Sequence, residues 1–120
     1  MSAPTLRDRL QAGLVAAMKR KDTIGTRAIR SALAAIGNAE AVEATTPAAS
    51  GDAHIAGSAR GLGAGDAPRR GLTEVDVVDL LTAEISDRRQ HAREYEELGQ
   101  TDAAARLRAE AAVLESYCTR

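Results

Sequence analysis

The chain of 120 residues contains no phenylalanine, no tryptophan and only two tyrosines. Its hydrophobic core must therefore be built from alanine, leucine, isoleucine and valine, and alanine-rich surfaces suit the close packing of one helix on another. The shortage of aromatic side chains also argues against a surface that recognises single-stranded RNA bases by stacking.

Cysteine and long apolar runs are equally scarce. The one cysteine, Cys118, excludes an internal disulfide and fits a reducing cytosol. The N-terminal segment MSAPTLRDRL lacks the apolar core of a signal peptide, and no run approaches the roughly 20 apolar residues that cross a bilayer. We therefore expect a soluble, cytoplasmic protein with no membrane partner.

The sequence also lacks the patterns that are typical of catalysis and metal binding. His54 lies in a glycine-rich segment, His91 lies on a charged helix, and no histidine stands near Cys118 in the sequence. There is no Cys/His metal spacing, no phosphate-binding glycine loop and no GxSxG element. We therefore expect no catalytic residue, no metal and no cofactor in the isolated chain.

The charges nearly balance, since 16 basic and 17 acidic side chains give a formal net charge of −1. Such a chain is not a general binder of polyanions. Any nucleic-acid surface must therefore be a local patch.

The first third of the chain predicts two helices. Thr5 and Asp8 have the spacing of a capping box, and apolar residues then recur at helical spacing to about Arg20. Asp22 or Thr23 can cap a second helix. The predicted buried positions of that helix are Ala28, Ile29, Ala32, Leu33, Ala35 and Ile36.

The helical pattern weakens at Gly37, and residues 42–71 differ in composition from the rest. They hold six of the ten glycines and two of the three prolines, with few large apolar residues. Such a segment cannot bury enough surface to offset chain entropy. We predict a flexible insertion within a single domain that spans residues 1–120.

The last third, residues 73–117, predicts a helical hairpin. Thr73 and Asp76 form a second capping box, Gly99 ends a long third helix, and Thr101 or Asp102 caps a fourth. Residues that face one another across the turn have numbers that sum to about 200. The prediction is an all-α, four-helix domain. Its long third helix packs against the first two helices near its start and against the fourth helix over the rest of its length.

Two consequences follow from this antiparallel register. Val75, Val77 and Val78 have no partner on the fourth helix, so we expect them to pack on the first two. Arg88 falls in the apolar stripe of the third helix, opposite Glu110, and an unpaired charge there would cost several kcal/mol. We predict a structural ion pair between Arg88 and Glu110, with Glu84 as a local alternative partner.

Basic residues gather at the end of the first helix, in the second and in the third. A positive charge near the C-terminal end of a helix is also stabilised by the helix dipole, and that role would be purely structural. The alternative to the structural ion pair of Arg88 is that Arg88, Arg89 and Arg93 border a shallow groove and reach an external anion. The candidate RNA-binding residues are Lys19, Arg20, Lys21, Arg27, Arg30, Arg88, Arg89 and Arg93.

The order and spacing of several motifs resemble those of the GatB/YqeY family. These small helical proteins are related to the tail domain of the B subunit of glutamyl-tRNA(Gln) amidotransferase. The resemblance covers the chain outside residues 42–71. It rests on the Met18-Lys19…Lys21-Asp22 junction, the Arg27…Ile29-Arg30 segment, Arg88-Arg89, the Tyr95…Leu98-Gly99…Asp102 turn and the Glu110…Val113-Leu114-Glu115…Tyr117 end.

The resemblance implies an all-helical fold and a link to tRNA-dependent amidation. In the amidotransferase the tail domain is associated with binding tRNA, whereas the carbon–nitrogen ligation with glutamine as amido donor belongs to other domains. Any such activity would therefore belong to a complex that includes this chain. Family members usually continue after the tyrosine with Leu-Pro and a second helical subdomain, but here Cys118, Thr119 and Arg120 follow Tyr117.

Two functions remain open at this point. The first is a non-catalytic RNA-binding or adaptor module whose partner is tRNA. The second is a protein-interaction bundle that docks on a larger complex or on a second copy of itself. The second reading expects Leu114, Tyr117 and Cys118 to be left partly uncovered, as an apolar patch that marks an interface.

Overall fold

The structure is a computed structural model that describes residues 3–49 and 71–118. These residues form four helices, which we number α1 (Leu6–Lys19), α2 (Thr23–Ala49), α3 (Glu74–Glu97) and α4 (Thr101–Cys118). The predicted all-α fold with a hairpin of the last two helices is confirmed, and no strand occurs in the described part of the chain.

Both predicted capping boxes are present. The Thr5 hydroxyl accepts the Asp8 N–H at 3.0 Å, and the Asp8 carboxylate accepts the Thr5 N–H at 3.3 Å. Thr73 and Asp76 make the same pair of hydrogen bonds at 3.1 and 3.0 Å. Each box satisfies two backbone N–H groups that have no partner within the helix, which explains why α1 and α3 begin where they do.

Helices α1 and α3 end in the same way, through a Schellman motif. In α3, Gly99 has φ +79°, and the Gln100 N–H donates to the Tyr95 carbonyl at 2.8 Å. In α1, Lys21 has φ +59°, and the Asp22 N–H donates to the Ala17 carbonyl at 2.9 Å. Lysine therefore occupies, at the end of α1, a left-handed position that glycine occupies in α3.

One core joins all four helices, and aliphatic side chains alone build it. Leucines of α1 and α4 meet isoleucines and alanines of α2 and the apolar stripe of α3. The buried members are Leu6, Leu10, Ala28, Ile29, Ala32, Ile36, Val77, Leu81, Ile85, Ala111 and Leu114. Leu33 and Ala35, which we expected to be buried, are only partly so.

Of the three valines expected to pack on the first two helices, only Val77 does so. Val77 is buried, whereas Val75 is 67% exposed and Val78 is 38% exposed. Val77 shares a face with Leu81 at i+4, while its neighbours are rotated away from that face by roughly 100° per residue. The expectation for Val75 and Val78 was therefore wrong.

Helix α2 is longer than its sequence pattern predicts. It continues past Gly37 and through residues 42–49, which we had assigned to the flexible insertion. A single glycine costs a helix only about 1 kcal/mol relative to alanine, and an ion pair between Arg7 and Glu40 ties the extension to α1. The rest of the predicted insertion, residues 50–70, lies outside the described residues.

The end of α4 packs on α1 at Gly13. A methyl group placed there would meet the Tyr117 hydroxyl at 1.8 Å. We therefore expect Gly13→Ala to lower the free energy of unfolding by about 1–3 kcal/mol, because Tyr117 would have to move. Urea denaturation followed by circular dichroism would measure the change.

Gly37→Ala is the matched control, because nothing lies within 4 Å of an added Cβ at that site. It should raise the free energy of unfolding by about 0.5–1 kcal/mol, since alanine restricts the unfolded chain more than glycine does. Stabilisation by both substitutions would contradict the packing of Tyr117 on α1.

Candidate nucleic-acid interface

Arg88 is the central polar side chain of the bundle. Its Nε lies 3.0 Å from Oε1 of Glu110 on α4, and its Nη1 lies 2.8 Å from Oε1 of Glu84 on the preceding turn of α3. The side chains of Arg88 and Glu110 are 11% and 5% exposed. The ion pair that the register predicts is therefore present, and the local partner takes part as well.

A third helix joins this cluster through Ser31, whose hydroxyl donates to Oε1 of Glu84 at 3.1 Å. Burial by itself would lower the pKa of the Arg88 guanidinium, but its hydrogen bonds to Glu84 and Glu110 more than offset that effect and raise the pKa. Arg88 therefore stays charged and engaged with two carboxylates, and little of its side chain is exposed.

The other two candidate arginines of α3 lie on the surface. Arg89 pairs with Glu115 of α4, with Nη2 and Oε1 2.6 Å apart and both side chains nearly half exposed. Arg93 is exposed one turn further along. Since a carboxylate neutralises Arg89, α3 offers an external anion little net positive charge.

The remaining five candidates come together where α1 ends and α2 begins, and we call them the junction patch: Lys19, Arg20, Lys21, Arg27 and Arg30. All five are exposed. Within the described residues, Arg20 alone among them pairs with a carboxylate, that of Asp22 at 3.2 Å. The fold therefore brings five of the eight predicted residues into one region and leaves the α3 arginines apart.

Three residues of the junction patch border one surface cavity of about 560 Å³. Lys21, Arg27 and Arg30 contribute its positive charges, Thr23 and Thr26 contribute hydroxyl groups, and the Asp22 carboxylate lines it as well. The three cations outweigh this one carboxylate. The cavity therefore combines cationic and neutral hydrogen-bond donors, which is the chemistry that phosphate oxygens need.

The junction patch is strongly positive, although the whole chain carries a small negative charge. Residues 18–30 hold five basic side chains and one acidic, a formal charge of +4, while the whole chain carries −1. The remainder of the chain therefore carries −5. A strongly positive region on an otherwise negative protein concentrates polyanions locally and repels them elsewhere.

Asp22 is the single acidic group of this region, and it caps α2. Its Oδ1 accepts the Gly25 N–H at 2.9 Å. That backbone hydrogen bond is the main cause that lowers the pKa of the Asp22 carboxyl below its usual value, and Arg20 adds to the effect. The carboxylate is therefore ionised at neutral pH and subtracts one charge from the patch.

The apolar patch expected at the end of α4 is mostly covered. Leu114 is fully buried, and Tyr117 and Cys118 are partly buried against the core. The Arg9 guanidinium lies 5.7 Å from the centre of the Tyr117 ring and also donates to the Tyr117 carbonyl at 2.9 Å. The expectation that Leu114 would be partly uncovered was wrong, because α4 packs this residue against α2 and α3. Tyr117 and Cys118 are partly exposed, as expected.

Two other kinds of site are absent from the residues that the structure describes. No three side chains of the histidine, cysteine, aspartate or glutamate type come close enough to hold a metal ion. No helix in residues 3–49 or 71–118 combines the length and apolar character needed to cross a membrane.

The conformation of Lys21 is a feature that sequence reasoning missed. The stop of α1 after Lys19 without a glycine is the signal that could have indicated it, since helices commonly end on glycine in the left-handed conformation.

Comparisons with known proteins found no matching family model, no similar curated protein and no similar solved structure. The resemblance to the GatB/YqeY family therefore stays a prediction made from the motifs.

The buried cluster predicts that two glutamates, each paired with an arginine, differ widely in what they contribute to stability. Glu110→Ala should lower the free energy of unfolding by about 3 kcal/mol, near the lower end of the range for a broken buried pair, because Glu84 still neutralises Arg88. Glu96→Ala breaks the pair with Arg108, which is about half exposed on both sides, and should cost less than about 1 kcal/mol.

Chemical denaturation of both variants measures this difference. The double variant Arg88→Met with Glu110→Leu should recover most of the loss, since it removes both buried charges together. Equal losses for Glu110→Ala and Glu96→Ala would show that the Arg88 cluster is no more stabilising than a surface pair.

Proposed function

We propose that this chain is a non-catalytic RNA-binding module that holds the phosphates of its RNA on the junction patch. The observation that carries the proposal is the gathering of five exposed cations around one carboxylate on a chain of net negative charge. Phosphate contacts of this kind supply most of the affinity of a protein for nucleic acid.

The three cations and the two threonines of the cavity each have a role in this proposal. Arg27 and Arg30 present planar guanidinium groups that match two phosphate oxygens at once, and Lys21 supplies a compact ammonium charge. The hydroxyls of Thr23 and Thr26 add neutral donors to the same oxygens. Such contacts position a nucleic acid without reading its bases.

The expected RNA is one recognised by shape. Tyr95 is 41% exposed on α3, and Tyr117 is partly covered by Arg9. Neither lines the cavity of Lys21, Arg27 and Arg30, so that cavity offers no aromatic ring on which a base could stack. Proteins that recognise folded RNA through its backbone need no such ring. This favours a structured RNA over an unpaired strand.

The GatB/YqeY resemblance supports tRNA as the first RNA to test. Its first two motifs, from Met18 to Arg30, include four of the five residues of the junction patch and border Arg20 on both sides. If the chain works beside an amidotransferase, its role is to bind tRNA, and the carbon–nitrogen ligation belongs to the partner.

The left-handed conformation of Lys21 also supports a functional role for this residue. A side chain at φ +59° costs about 1–2 kcal/mol that glycine would avoid. Backbone strain of this kind is retained mostly at functional sites. The lysine is therefore better explained by what its ammonium group binds than by the stability of the turn.

Filter binding with tRNA tests the proposal directly. For three phosphate contacts, affinity should fall roughly 40-fold between about 50 mM and about 200 mM salt. The double variant Arg27→Ala with Arg30→Ala should bind at least about tenfold more weakly at low salt. Its slope of log affinity against log salt concentration should fall by the contribution of about two phosphate contacts. Its fold should be unchanged, because both side chains are exposed.

Two charge-matched double variants serve as controls. Arg106→Ala with Arg108→Ala removes two arginines of α4, and Arg89→Ala with Arg93→Ala removes two of α3. We expect the tRNA affinity of both variants to lie within about twofold of that of the original chain, although each loses the same two positive charges as the test variant. Absence of binding at low salt, or equal losses in all three double variants, would overturn the proposal.

Lys21→Gly separates stability from binding. It should raise the free energy of unfolding by about 0.5–1 kcal/mol, because glycine relieves the left-handed strain but gains freedom in the unfolded chain. It should also weaken tRNA binding roughly 3–10-fold, because one phosphate contact is lost.

Gly99→Ala is the matched substitution in the second Schellman motif. It should destabilise the fold by about 1 kcal/mol and leave tRNA affinity unchanged. If Lys21→Gly left both stability and affinity as they were, the functional explanation of the strained lysine would be wrong.

A further inference from the structure

A second surface lies between the later turns of α2 and the beginning of α3. It is a groove of about 730 Å³, and its walls are mostly aliphatic. Ala39 and Val42 form the α2 side, while Leu72, Leu80 and Ala83 form the other side. Leu72 and Leu80 also pack against the core, so this wall is held rigidly in place.

Exposed valines extend the apolar surface along the groove. Val42 is 63% exposed on one wall. Val75 is 67% exposed and lies one helical turn before Asp79 of α3, beside the residues that line the groove. A continuous apolar strip of this kind on a small domain marks a surface that binds another molecule.

Carboxylates surround this apolar strip. Glu43, Asp76 and Asp79 line the same groove, and none of them forms an ion pair within the described residues. Asp76 belongs to the capping box of α3, where its carboxylate accepts the Thr73 N–H. The rim is therefore uniformly negative, which repels phosphates and favours a cationic partner.

We propose that this groove binds an amphipathic helix of a partner protein, with aliphatic side chains on one face and lysines or arginines flanking them. The α3 wall places Asp76, Asp79, Leu80 and Ala83 at helical spacing, a length of about 10 Å or two turns, and Leu72 extends this wall from just before the helix. A partner helix anchors in such a groove through side chains at i, i+3, i+4 and i+7.

The charge of the rim decides between possible occupants. A second copy that used the same groove in a symmetric dimer would place six carboxylates against one another, which is unfavourable. An RNA would meet the same repulsion. A basic helix is the occupant for which both the apolar walls and the acidic rim are complementary.

This site is separate from the junction patch. Arg30 and Val42 are twelve residues apart on one helix, which corresponds to about 18 Å. The two surfaces can therefore be occupied at the same time, and the inference does not depend on RNA binding.

Two synthetic peptides of about 16 residues test the proposal by fluorescence anisotropy. Both carry leucines at i, i+3, i+4 and i+7. One has lysines on the flanks and the other has glutamates at the same positions. The full chain should bind the lysine peptide at least about tenfold more tightly than the glutamate peptide, and the preference should shrink as salt is added.

Variants of the groove locate the binding. Ala83→Arg and Asp79→Lys should each weaken binding of the lysine peptide about tenfold, because one blocks the wall and the other reverses a rim charge. The matched controls are Ala105→Arg on α4 and Asp87→Lys on α3, both at exposed positions outside the groove. Circular dichroism verifies that each variant keeps its helices.

Three outcomes would overturn the inference. The first is equal binding of the two peptides, or binding that Ala83→Arg does not weaken. The second is self-association of the original chain that Ala83→Arg abolishes, which would assign the groove to a second copy. The third is a loss of tRNA affinity in Ala83→Arg, which would assign the groove to RNA.

Discussion

The buried guanidinium of Arg88 is the interaction on which the rest of the bundle depends. It bridges Glu84 of its own helix and Glu110 of α4, and Glu84 in turn accepts a hydrogen bond from Ser31 of α2. A charge in that position is tolerated only when its partners are in place. The cluster therefore fixes how three helices sit against one another in a core that has no large aromatic side chain to specify their packing.

The cluster also determines which charges remain for other molecules. Arg88 is withdrawn from the surface, and Arg89 is neutralised by Glu115. Positive charge is then concentrated at the junction of α1 and α2, while the groove between α2 and α3 is lined by carboxylates. Taken together, the two proposals describe an adaptor that holds an RNA on one surface and a basic helix on another, about 18 Å along α2.

Much of this architecture could be predicted from the sequence because the signals were local. Capping boxes at Thr5 and Thr73 act within four residues, and Gly99 fixes the turn that sets the register of Arg88 against Glu110. The continuation of α2 past Gly37 could not be predicted, since one glycine is a small cost that tertiary contacts such as Arg7 with Glu40 can offset.

The surfaces were harder to predict than the helices. Exposure of Val75 and Val78 depends on how α3 is rotated against α2, and burial of Leu114 depends on how α4 packs against α2 and α3. Both depend on tertiary packing. The distribution of the candidate arginines was likewise invisible in the sequence, because helical spacing places a residue on a face without stating which charges stand opposite it.

Nuclear magnetic resonance of the arginine Nε–Hε groups during a titration with tRNA tests the central claim most directly. The Hε signals of Arg27 and Arg30 should shift with added tRNA and return when salt is raised. The Hε signal of Arg88, which donates to Glu110, should exchange slowly with water and stay where it is. A shift of the Arg88 signal with no change at Arg27 and Arg30 would contradict the division between a structural arginine and an anion-binding junction.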